Sequence, residues 1–162
     1  MQNFQSPTSG QLSQSQMLLE IAKFVEADPK NFYRLVIGSD SHNYRVNSHF
    51  ECDFVTAIVI HRVGAGARYF WQREKVVKPF ELRDKIYAET MRSLNTAEAL
   101  VPALRDVMEP SKYELEIHID VGAYGPTRTM IKEVVGMVTG NGYVAKTKPQ
   151  SWAASSVADR YT

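Results

Sequence analysis

Two apolar runs in this chain each finish on an aspartate: Tyr33-Arg-Leu-Val-Ile-Gly-Ser-Asp40 and Leu115-Glu-Ile-His-Ile-Asp120. Each reads as a buried strand, and each sets one carboxylate where the strand gives way to its loop. In an open α/β sheet that rim is where ligands and catalytic groups collect. Two acids held there repel each other unless a proton or a cation intervenes.

The segments between the two runs set the architecture. Leu18, Ile21, Ala22 and Val25 fall at helical spacing, and Asp28-Pro29 ends that helix because the residue before proline is pushed out of the α region. Three strands follow, Arg34 to Ser39, Phe54 to His61 and Arg68 to Lys75, with Gly64-Ala-Gly66 as the hairpin turn between the last two. Pro79 suits the first turn of a long helix running to about Met108, and Pro102 is expected to kink or split it. Tyr113 to Val121 is a fourth strand, Pro126 to Thr139 a helix, Tyr143 to Thr147 a fifth strand, and Ser151 to Tyr161 a closing helix with Ser151 as its N-cap. Hairpins followed by helical crossovers predict an α/β fold whose mixed sheet is flanked by helices.

With 162 residues, 44% hydrophobic and 23% charged, the chain suits one domain with its own core. Residues 17–162 are expected to form it, behind a loose arm over 1–16 that is rich in Gln and Ser. The formal net charge of +1 gives no strongly basic surface, so a nucleic-acid partner needs a local basic patch. Cys52 stands alone, which excludes an intrachain disulfide, a redox CxxC and a Cys/His zinc framework. The N-terminal residues carry no secretory pattern, and no apolar run approaches the roughly 20 residues of a membrane span. The expected location is the cytoplasm.

Glu89 joins the two aspartates, since on the long helix it projects beside Leu82, Ile86 and Ser93 at the margin of the core-facing stripe. A carboxylate there needs a partner or a metal, or else reaches water at the edge. Asp159, on the closing helix with Ser155 and Ser156, is either a fourth ligand or an exposed helix-end acid. Asp40 and Asp120 could also be turn residues capping their loops. Oxygen-only ligands favour a hard divalent ion. His42, Ser41 and Lys148 are candidates for contact with substrate, with Arg45 and Lys78 as further phosphate contacts; His118 points away from the Leu115, Ile117 and Ile119 face and reads as a packed sheet histidine.

The order of these features resembles the ribonuclease H-like superfamily, and more closely the YkuK-type family of predicted ribonuclease H-like nucleases. Ile37-Gly-Ser-Asp40-Ser, Phe54 to Ile60 with Arg62-Val-Gly64, Glu89, His118-Ile-Asp120-Val, Gly136, Gly142-Tyr143, Lys148-Pro149 and Ala153-Ala-Ser-Ser-Val-Ala-Asp159 carry the likeness, from about Ile21 to the C-terminus. It implies a mixed five-stranded sheet with the first and fourth strands adjacent, so that Asp40 meets Asp120 while Glu89 and Asp159 approach from two helices. His42 stands where the family more often carries glutamine.

The implied function is a nuclease that hydrolyses phosphodiester bonds in RNA, RNA–DNA hybrid or DNA. Two Mg2+ or Mn2+ ions would be bridged by Asp40, with Glu89, Asp120 and Asp159 completing the shell. The alternatives are a non-catalytic nucleic-acid-binding module of the same fold and, third, an actin-like phosphotransferase. The last predicts glycine-rich phosphate loops after the strand acids, where this chain has Ser41-His-Asn.

Overall fold

The computed structural model describes residues 3–162. One mixed sheet of seven strands organises them: β1 (Asn3–Ser6), β2 (Gly10–Ser13), β3 (Tyr33–Val46), β4 (His49–Arg62), β5 (Ala67–Val76), β6 (Tyr113–His118) and β7 (Val144–Lys146), in spatial order β2-β1-β5-β4-β3-β6-β7. The expectation of five strands is corrected at the N-terminus. From Asn3 onward the segment expected to be loose is a hairpin followed directly by helix; Met1 and Gln2 lie outside the described residues. Strand β1 docks antiparallel on the β5 edge through Gln5 and Trp71, and Phe4 and Leu12 are buried in the core.

Helix α1 (Gln14–Glu26) begins without a linker. Ser13 accepts the Gln16 backbone N–H at 3.2 Å, and the Gln16 side chain accepts the Ser13 N–H at 2.8 Å, a reciprocal cap that satisfies two donors at once. Helix α2 (Leu82–Leu104) starts three residues after Pro79 because Asn43 holds Phe80 outside the helix, donating to its carbonyl at 2.8 Å and accepting its N–H at 3.3 Å. Pro102 does not split α2. It falls in the last turn, where only a terminal hydrogen bond is forfeited. Leu82, expected in the core stripe, is exposed at the opening turn.

Helix α3 (Ile131–Gly140) follows a 3-10 turn over Arg128–Met130. The closing segment is not an α-helix: Ala153–Ala158 is π-helical and Asp159–Tyr161 is a 3-10 turn. Nor does Ser151 cap it. Its carbonyl accepts the Ala154 and Ser155 N–H groups, while its hydroxyl is buried without a partner. Among the described residues no helix is long and apolar enough to cross a membrane.

The pleat of β3 divides the molecule. Tyr33, Leu35 and Ile37 point into the main core with α1, α2 and α3, whereas Val36 points to the opposite face and packs with Val59 and Ala153 of the closing segment. Beyond Gly38 the strand does not end. It continues antiparallel with β4 to Val46 and turns through Asn47, whose φ of 54° is a conformation asparagine tolerates. Only its parallel neighbour β6 stops, at the pair Gly38 and His118. Asp40 is thus inside a strand, at the point where that strand loses one neighbour.

Candidate carboxylate site

Carried two residues past the last parallel pair, the register of β3 and β6 sets Asp40 across from Asp120, on the face covered by the closing segment. Asp40 is only 8% exposed. Its carboxyl is raised to about 7, first by burial, then by a hydrogen bond with the Asp159 carboxyl, and further by repulsion from Asp120 and Asp159; the Ser41 backbone N–H opposes the rise.

Glu89 comes from the other side. Ser41 alternates with Asp40 along β3 and so points toward α2, where its hydroxyl donates to Glu89 Oε1 at 2.5 Å. The same face carries a hydroxyl chain one step along, with Ser39 Oγ 2.9 Å from Thr56 Oγ1 and 2.8 Å from Ser93 Oγ. Glu89 is 4% exposed. Burial pushes its carboxyl up to about 8; the Ser41 hydrogen bond opposes this, and the Asp40 and Asp120 charges reinforce it. The pattern on α2 left open whether Glu89 reaches water, and the structure buries it.

Among the described residues Asp120 has one cation within ion-pair distance. Lys148 Nζ is 3.2 Å from Asp120 Oδ1, yet that oxygen is buried and accepts no hydrogen bond, so the contact is one of charge alone. The Lys148 backbone N–H donates to the Val121 carbonyl at 2.7 Å, which holds the lysine beside the aspartate.

Asp159 is exposed, on the terminal 3-10 turn. What delivers it to Asp40 is Gly38. A Cβ built there would lie 2.6 Å from Ala154 N and 2.8 Å from the Ala153 carbonyl carbon, so only glycine lets the closing segment rest directly on β3. His118 anchors the same segment. Its Nδ1 accepts the Ala153 N–H at 3.2 Å, which leaves Nε2 to donate to Glu116 at 3.1 Å, and burial holds the ring neutral against the pull of Glu116. An isolated glycine inside a strand was the available signal for this close approach.

Four acids therefore surround one strand end, but not as a finished cage. The carboxyls of Asp40 and Asp159 come within hydrogen-bonding reach, while Asp120 acts on Asp40, and Asp40 and Asp120 on Glu89, through charge. Among the described residues no three Asp, Glu, His or Cys side chains stand close enough to grip one ion. The donor set nevertheless suits a hard divalent cation: every donor is oxygen, burial and neighbouring acids raise two of the carboxyls well above the ordinary range, so that positive charge is wanting there, and the buried Asp120 Oδ1 accepts no hydrogen bond.

The expected substrate contacts divide. Ser41 is buried and committed to Glu89. His42 lies on β3 rather than in a loop, exposed, its ring stacked on Tyr44 with centroids 6.4 Å apart. Arg45 and Lys78 lie over the rings of Phe50 and Phe80, at 5.8 and 4.5 Å. Lys148 faces the acids. A cleft of about 500 Å3 lies elsewhere, between α2 and β5, lined by Phe54, Gln72, Glu74, Arg92 and Asn95, and none of the four acids borders it.

Comparison with known proteins agrees with the fold. The family profile described as Ribonuclease H-like matches residues 16–162. The chain is 34% identical over 169 residues to the "Uncharacterized protein YkuK" of Bacillus subtilis (strain 168), covering 98% of this chain and 96% of that protein. No solved structure matches. The chain belongs to the ribonuclease H-like family.

Proposed function

We propose that this protein is a metal-dependent nuclease that hydrolyses phosphodiester bonds of nucleic acid at Asp40, Asp120, Glu89 and Asp159. The observation that carries the reading is the meeting of Asp40, on β3, with Asp120, just past the end of the parallel neighbour β6, with two further acids brought in from opposite faces and Lys148 as a basic group beside Asp120. The family supports a nucleic-acid substrate at the level of fold.

Asp40, Asp120, Glu89 and Asp159 would hold Mg2+ or Mn2+. A divalent cation bound there supplies positive charge that offsets the carboxylates and stabilises charge developing on the phosphodiester. Asp40 sits on β3 and Asp120 two residues past the end of β6, beside strands packed on both faces, so their positions are set before substrate arrives. Ser41 fixes the orientation of Glu89 from beneath. Asp159, exposed beside Asp40, is placed to pass a proton between the site and solvent. Lys148 presents an ammonium group to a non-bridging phosphate oxygen.

Asp40→Asn keeps the shape of the side chain and removes its charge. Against labelled single-stranded RNA, RNA–DNA hybrid and branched DNA in Mg2+ and in Mn2+, the wild-type chain is expected to cleave at least one substrate, and Asp40→Asn to lose at least about a hundredfold of that rate with its fold intact. Absence of cleavage by the wild-type chain in both ions, with nucleic-acid affinity retained, would leave the binding module as the reading.

A further inference from the structure

We propose that Lys148 is a built-in counter-cation of the site: its ammonium competes with the divalent ion for Asp120 and is drawn off when a substrate phosphate arrives. This rests on the metal-dependent reading above and adds to it a coupling between cation and substrate.

Lys148 is built for such a movement at one end only. Its backbone N–H is pinned to the Val121 carbonyl at 2.7 Å, one residue from Asp120. Its stem lies against Gly122, where a Cβ would meet Lys148 Cβ at 3.1 Å and Cδ at 3.4 Å, so any larger residue would push the stem aside. The ammonium end is freer, since the side chain is 48% exposed and Nζ sits 3.2 Å from Asp120 Oδ1 without forming a hydrogen bond. Among the described residues, no other basic side chain lies within 4.0 Å of any of the four acids.

Competition follows from the chemistry of that oxygen. An ion taking Asp120 Oδ1 as a ligand must displace the ammonium or bind against its charge, and either weakens binding. A phosphodiester offers the ammonium another anion, and once Lys148 turns to it the aspartate is released to the ion. By linkage, cation and substrate then strengthen each other's binding by the same factor. In the absence of substrate the site is held partly neutral and binds the ion less tightly.

The test is calorimetric titration of the full chain with Mn2+ alone, comparing wild type with Lys148→Met and Lys148→Arg. Lys148→Met is expected to bind Mn2+ roughly three- to tenfold more tightly, and Lys148→Arg about as wild type. Unchanged or weaker binding by the Met variant, with Mn2+ binding intact in the wild type, overturns the counter-cation role and leaves the metal site standing. Failure of both wild type and Met variant to bind overturns the metal reading and this inference with it. A wild-type readout guards against a folding defect: the acetylation rate of Lys148 by acetic anhydride, followed by mass spectrometry, is expected to rise on addition of Mg2+ as the ammonium leaves Asp120. An unchanged or reduced rate counts against the proposal.

Discussion

Asp40 and Glu89 keep protons at a pH where exposed carboxyls have lost theirs, because burial and neighbouring acids disfavour their charged forms. Their folded values, about 7 and about 8, stand above the ordinary 3.8 and 4.5 of the unfolded chain. The folded protein therefore holds protons that the unfolded chain has released. That contribution is complete below the unfolded values and is lost as pH rises through the folded ones. His118 works in the opposite sense, but below its ordinary 6.5, so it does not mask a fall at higher pH. Thermal unfolding of the cation-free protein should show Tm dropping between about pH 6 and about pH 9, with added Mn2+ offsetting the drop. A flat Tm across that range would mean that these carboxyls are not buried together. The two strand acids were legible in the sequence because each closes an apolar run. The role of Ser41 was not: it depends on which side of the pleat meets α2, and local sequence does not say which helix covers which face.

At the scale of elements, the site depends on how closely the closing segment lies on β3. Gly38 sets that distance. Gly38→Ala places a methyl group against the Ala153 and Ala154 backbone, so the segment must lift and carry Asp159 away from Asp40. The expected cost is about 1–3 kcal/mol in denaturant unfolding, together with reduced cleavage. Wild-type stability and rate would show that the contact does not position the acid. The sequence revealed β3 only as far as its apolar half. Past Asp40 the strand reads Ser-His-Asn-Tyr-Arg, polar on both faces, because it pairs only with β4 there and has no parallel neighbour. Likewise the closing segment has helical composition, but it winds as π and 3-10 turns where it rests on Gly38 and donates the Ala153 N–H to His118.

For the molecule as a whole, the N-terminal hairpin is the clearest departure from expectation. Gln and Ser dominate Asn3 to Ser13, and only Phe4 and Leu12 carry apolar weight, so composition pointed to a loose arm. Both are buried, directly opposite one another in the β1–β2 pairing, and both join the main core. Two well-placed apolar residues on the edge of an existing sheet suffice where an isolated hairpin would not. Phe4→Ala should therefore cost about 3–5 kcal/mol in urea unfolding, as for a core phenylalanine, whereas a loose arm predicts no change. The rest of the order, from the first core strand to the closing segment, follows the pattern read from the sequence, and the family match spans the same residues. On the proposed reading, this fold gathers its acids to hold a divalent cation. That reading is tested most directly by anomalous diffraction from crystals soaked in Mn2+. An anomalous peak ligated by Asp40 and Asp120, with Glu89 or Asp159 turned toward it, is the predicted result; crystals whose Mn2+ binds elsewhere, or nowhere, would contradict it.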